Sequence, residues 1–319
     1  MAAVYKKYKV KKLLLGIALF NSAASPALVK GEDYVAASDP QALQYIQTKN
    51  AELTYESEEI DRELDDATLG WKPKLTVGTH FKISAEVEAA GSGTAENPVA
   101  YDGLFQIAAM SSDSSSGTHV DYNELDDDSW PDATVYFYMD GVLHKLLNCQ
   151  SNVSCAFANK TAPTFKNEIT GVYGGVVSGS VPQPTFTQMK PVPVSNQYTT
   201  ILLDGVEYVL VNFSWDKKAE VSYSNLPGYE GVSLDDFAPE GEIEILRPAL
   251  ADFDPFAISR SEEDTFLSLE LNHGKTAGNS LKISNPEIQL LTPSYSEFEG
   301  KSTYKIPYGC VGATAIRTF

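Results

Sequence analysis

The spacing of apolar residues changes character at Gly70. Before it, residues 39–66 carry a helical pattern. Asp39-Pro40 reads as an N-cap with proline in the first turn, and no further Gly or Pro intervenes as far as Asp66. Ile46, Leu53 and Ile60 recur every seven residues with Ala67 continuing the row, and Leu43, Asn50, Ser57 and Leu64 form a second row. Those rows predict an amphipathic helix over 38–68. It packs on its own domain or, used as an a/d seam, joins two copies of the chain in a coiled coil, a homo-oligomer through residues 40–67.

After Gly70 the period falls to two. Leu75, Val77, Phe81, Ile83, Ala85 and Val87 alternate with Thr76, His80, Lys82, Ser84, Glu86 and Glu88, the pattern of a long half-buried strand. Further on, Val135–Met139 runs into Asp140-Gly141, and Thr200–Leu203 into Asp204-Gly205, each followed by another apolar run. Asp-Gly between such runs predicts a tight hairpin, because a type I′ turn needs positive φ at both central residues. Shorter strands are expected at 219–223, 242–246, 265–272, 280–284, 287–291 and 303–306. Residues 225–240 and 248–263 read as long loops, or as a boundary that divides the region 70–319 into two sheets or subdomains near 225–263. The expected fold class is all-β, a β-sandwich or jelly roll preceded by an N-terminal amphipathic helix.

One apolar stretch has no period at all. Leu13–Phe20 is uncharged and follows Lys6, Lys7, Lys9, Lys11 and Lys12, with small residues at Ser22, Ala23, Ala24 and Ala27 behind it. That order predicts a secretory signal peptide over 1–27, cleaved after Ala24 or Ala27. It is too short for a membrane helix, which needs roughly 20 apolar residues. No later run is long enough, so no transmembrane helix is expected in the mature chain. The protein is expected to be exported, to the periplasm, the cell surface or the medium.

An oxidising compartment changes the reading of the cysteines. Cys149 and Cys155 flank five residues and suit a local disulfide, which leaves Cys310 unpaired. Charge narrows the partners. With 43 acidic against 24 basic residues the net charge is −19, which repels nucleic acid and anionic lipid.

The acids are unevenly placed. From Ile83 to His144 there are twelve and no Lys or Arg. Asp121, Asn123, Glu124, Asp126, Asp127 and Asp128 fall within eight residues, the kind of oxygen-rich loop that suits Ca²⁺. The spacing departs from an EF-hand, since Leu125 and Asp126 stand where that loop needs an acid or amide and then Gly. A solvated acidic loop is the plainer reading. Beside it, Trp130 and Tyr122 could form a stacking platform for sugar rings.

No metal-protease, nucleophile-elbow or phosphate-loop motif is present. Strand-borne carboxylate pairs such as Glu86 with Glu88 and Glu242 with Glu244 are the nearest approach to a glycosidase dyad. The sequence thus points first to a non-enzymatic binding or structural module for polysaccharide or a surface protein, with calcium shaping a loop. A secreted polysaccharide-acting enzyme on a jelly-roll scaffold comes second, and an outer-membrane β-barrel third.

Overall fold

The computed structural model describes residues 12–23, 28–62, 70–126, 129–261 and 265–319. Within them the chain is nearly all antiparallel β-structure, as the period-two stretches predict. In the N-terminal half the strands are β1 (Leu13–Leu19), β2 (Gln44–Ile46), β3 (Lys49–Ile60), β4 (Leu75–Glu88), β5 (Val120–Asn123), β6 (Ala133–Met139), β7 (Val142–Ala158) and β8 (Thr164–Ser178). The C-terminal half adds β9 (Thr199–Leu203), β10 (Val206–Tyr208), β11 (Leu210–Asp216), β12 (Ala219–Leu226), β13 (Tyr229–Phe237) and β14 (Glu240–Leu246). It ends with β15 (Phe266–Thr276), β16 (Asn279–Leu290), β17 (Ser294–Phe298), β18 (Lys301–Cys310) and β19 (Ala315–Thr318). Two five-residue helices, α1 (Asp102–Gln106) and α2 (Pro255–Ser259), are the only helices among the described residues. Neither is long enough to cross a membrane.

The predicted hairpin turns are present. Asp140 and Gly141 have φ of 53° and 85°, and Asp204 and Gly205 have 51° and 76°, so both turns use positive φ at both central positions. The 75–87 alternation is β4, with Phe81, Ile83, Ala85 and Val87 buried.

Pairing organises the molecule around β7. One run of neighbours is β2–β1–β6–β7–β8–β4–β3. The edge of β7 that meets β6 over residues 142–149 meets β11 over 154–158. From β11 the ladder continues through β14 to β18, and β18 shares its far edge between β17 and β16. β16 leads to β15–β9–β10 on one side and β19–β5 on the other. The pairings branch but never return on themselves, so these strands form no closed barrel, and the barrel alternative is set aside. β12 and β13 make a separate hairpin that lies against β7 and β8.

The expected N-terminal helix is corrected, and two other expectations meet a described element. Residues 44–60 are strands, not part of a helix, so the coiled coil has no seam. The segment also alternates: Ala51 and Leu53 are half-buried against the core while Glu52 and Thr54 are exposed. β4 offers this segment a partner edge at ten registered positions, and that tertiary pairing overrides the heptad spacing. The helix's last predicted residues, 63–68, lie outside those described.

The run read as a signal peptide is β1. Leu15 and Ile17 enter the main core, while Leu14 and Ala18 enter smaller clusters on the opposite face with Tyr136, Tyr138, Leu28 and Tyr34. A short apolar run is also what a strand buried on both faces looks like. Cleavage after Ala24 or Ala27 would remove it from a sheet in which it pairs with β6 at seven positions. Lys6, Lys7, Lys9 and Lys11, like Ala24 and Ala27, lie outside the described residues.

The expected division near 225–263 is bridged. β14 lies inside it and pairs with β11 on one edge and β18 on the other, and the core runs unbroken from Leu15 and Phe81 to Ile306 and Ile316. The expected loop at 225–240 contains β13. The loop at 248–263 contains α2, capped by Asp254, whose carboxylate accepts from the N–H groups of Phe256 and Ala257 at 3.0 Å.

Candidate functional site

The acidic stretch is broken up by its own strand. β5 pairs with β19, and alternation along it sends Asp121 and Asn123 to one face and Tyr122 to the other. Asp121 is engaged by Arg317, whose Nε and Nη2 donate at 2.6 and 3.1 Å, and His119 Nε2 lies 3.3 Å away. Asn123 is exposed, and its backbone N–H donates to Ser111 Oγ at 2.9 Å.

Glu124 turns inward. Its Oε2 accepts from the Thr314 N–H at 2.8 Å, Oε1 has no partner, and burial raises its pKa against the opposing charge of Lys217. Asp126 is exposed, while Asp127 and Asp128 lie outside the described residues. No three His, Cys, Asp or Glu side chains converge on a metal position among the described residues.

The aromatic platform is not assembled either. Tyr122 is fully buried, its ring 4.8 Å from that of Phe105, and its hydroxyl accepts from the Val99 N–H at 3.1 Å. It is a core residue, because it shares the inward face with Val120. Trp130 is half-buried at the entry to β6.

The expected disulfide is absent. Cys149 and Cys155 are free, buried and six residues apart on one strand, which places them roughly 20 Å apart, far beyond bridging distance. Burial raises both thiols well above their ordinary range and pushes Cys310 up to about 11, so none is an activated nucleophile. The carboxylate pair Glu242 and Glu244 is committed as well. Glu242 bridges Lys305 at 3.0 Å, and buried Glu244 accepts from Asn212 Nδ2 at 2.7 Å and Thr303 Oγ1 at 2.8 Å.

One buried cation escaped the sequence reading. Lys217 Nζ donates to the carbonyls of Ala108 and Ala109 at 2.6 and 2.7 Å and lies 4.4 Å from the Phe237 ring centre. Burial lowers its pKa to about 8. It ties the turn after α1 to the β11–β12 junction, which is a structural role.

The feature that stands apart is one end of the molecule. β4 pairs with β8 only from His80 onward, so Leu75–Thr79 and the facing end of β3 project as a two-stranded arm for roughly 17 Å. Ile60, Leu75 and Val77 on the arm, Trp71 before it and Tyr55 at its base are all exposed. Beside it are Tyr173, Val176 and Val177 on β8, and Leu226 and Tyr229 at the tip of the β12–β13 hairpin. These ten are half of the twenty large apolar side chains exposed among the described residues, so the concentration is local.

Two contacts set the arm in place. Asn225 Nδ2 donates to the Val77 carbonyl at 3.2 Å, and Tyr223 stacks on His80 with ring centres 4.5 Å apart. Among the described residues the outer edge of β3 has no partner strand. Three of the acids here have a lysine beside them: Lys74 lies near Glu59 (3.4 Å) and Asp61 (3.2 Å), and Lys82 near Glu56 (2.8 Å).

Neither a family model nor a curated protein matches the chain. The functional reading therefore rests on this geometry.

Proposed function

We propose that the protein is a non-enzymatic structural module that assembles by protein–protein contact through its projecting arm, with a second copy of the chain as the partner. The observation that carries this is the concentration of exposed apolar side chains on an arm whose outer strand edge is open. A two-stranded ribbon in water is marginal alone, and an exposed apolar patch of this kind marks an interaction surface. An unpaired strand edge is a template for adding another strand.

The architecture we propose is a β-sandwich, in which the two halves of the branched sheet close over one core; its support is the continuity of that core from β1 to β19. The oligomer role expected of this part of the chain passes to the outer edge of β3 (Lys49–Ile60), a strand edge in place of a helix seam.

Sedimentation of the full chain across a range of concentrations tests the proposal. Self-association is expected, and Leu75→Asp with Val77→Asp should abolish it while leaving the melting temperature within the small range usual for exposed positions. A full chain that stays monomeric at high concentration, or a variant that associates like the parent, overturns it.

A further inference from the structure

A cleft of about 430 Å³ lies between the turn at 159–161, the loop at 194–199 and the strands β10 and β11. Its three walls are bonded to one another through backbone. Asn159 N–H donates to the Val211 carbonyl at 3.1 Å, Lys160 N–H to Val194 at 3.0 Å, and Val194 N–H to Thr161 at 2.9 Å. The loop closes on itself where Tyr198 and Thr199 both donate to the Ser195 carbonyl, at 3.0 and 2.9 Å. The cleft is therefore formed before any ligand arrives, and its size falls in the range of small-molecule sites.

The lining is specific in chemistry. Asn159, Asn196 and Glu207 present two amides and a carboxylate, none of which makes an intramolecular side-chain hydrogen bond. Ser195 and Thr199 add hydroxyls, and Thr199 Oγ1 is held by His273 Nδ1 at 2.9 Å. Tyr208 brings a ring that is itself braced by Phe253, with centres 5.0 Å apart, while Val194 and Leu210 supply apolar floor. No Lys or Arg lines the cleft, and its one charge is negative, so an anionic ligand is disfavoured.

From this arrangement we propose that the cleft binds one residue of a neutral carbohydrate. The amides and Glu207 take vicinal hydroxyls, and Tyr208 with the aliphatic floor takes the face of the ring. An amide side chain both donates to and accepts from hydroxyls, a carboxylate accepts from them, and an aromatic ring covers the apolar face of a sugar. The site uses no element of the arm, so it stands or falls independently of self-assembly.

The test is saturation-transfer NMR on the full chain with the methyl glycosides of glucose, galactose, mannose and N-acetylglucosamine at millimolar concentration, and with glucuronate as the anionic comparison. At least one neutral glycoside is expected to bind. Its affinity should fall about tenfold in Glu207→Gln, the loss typical of a charged hydrogen bond. Asn196→Ala should weaken it as well. Both side chains are exposed, so thermal melting should report unchanged folding. Absence of transfer to every neutral glycoside, equal binding of glucuronate, or affinities untouched in both variants overturns the proposal.

Discussion

Removing residues 1–27, as a signal peptidase cutting after Ala27 would, takes out β1. Leu14, Leu15 and Ile17 are 5%, 0% and 1% exposed, and each such aliphatic side chain contributes about 1.5–3 kcal/mol by burial. Their loss alone comes to about 5–9 kcal/mol, against a total stability of about 5–15 kcal/mol for an ordinary domain. It also bares the edge of β6 at seven registered positions and opens Val135 and Phe137 to water. Chain 28–319 is therefore expected to be aggregated or molten, while the full chain unfolds cooperatively in urea. Because a truncated chain can fail for many reasons, Leu15→Ala in the full chain is the sharper probe. It should cost about 2–5 kcal/mol, read as a lower urea midpoint at unchanged slope. The intact mass of the protein from its own cells should include residues 13–19. An equal midpoint for 28–319 and the full chain, or a native mass beginning at residue 25 or 28, refutes the reasoning.

Acid should weaken the fold partly through His273, which is 2% exposed and whose pKa burial pushes down to about 4 from 6.5. The unfolded chain then takes up the proton first, so stability is full above pH 6.5 and falls as pH drops towards 4. The effect is on the order of 3 kcal/mol, and urea midpoints at both pH values should show a shallower fall in His273→Gln. Reductant should leave the melting temperature unchanged, and Cys149 and Cys155 should resist thiol reagents until the protein unfolds. Gly241→Ala should destabilise by more than about 2 kcal/mol in chemical denaturation, since its Cβ would sit 2.3 Å from the Ser214 carbonyl oxygen and 2.4 Å from the Tyr308 hydroxyl. Lys217→Met should cost about 1–3 kcal/mol by the same assay, because it strips the Ala108 carbonyl of its donor and leaves the Ala109 carbonyl with the Leu125 N–H alone.

What could be read from the sequence was local. β4 shows its alternation because one face is buried along most of its length, and the two Asp-Gly turns carry their own backbone chemistry. β8 was missed because Gly171, Gly174 and Gly175 interrupt any period. The first two are there for packing, since a Cβ at Gly171 would lie 2.6 Å from Cys149 Sγ and one at Gly174 2.9 Å from Leu147 Cγ. Residues 13–19 and 44–60 share an ambiguity. Each has a pattern compatible with two elements, and the deciding partner, β6 or β4, is supplied from elsewhere in the chain. Among the candidate site residues, proximity in sequence misled because a strand sends neighbours to opposite faces, as with Asp121 and Tyr122. The arm could have been suspected from Leu75 and Val77, which continue the apolar row of β4 past the point where its pairing with β8 ends.

The order in which the chain is made gives β1 a peculiar history. Its partner β6 ends at Met139, 120 residues after Leu19. At roughly 5–20 residues per second of translation, β1 waits some ~6–24 s before that partner exists. Throughout that interval an apolar stretch behind a run of lysines stands without its β6 partner on the nascent chain. Targeting factors, chaperones and neighbouring ribosomes all compete for it with a sheet still unmade. Translation speed through residues 20–139, more than final stability, then governs the fraction of chains that mature, and slow codons there should lower yield without altering the folded product.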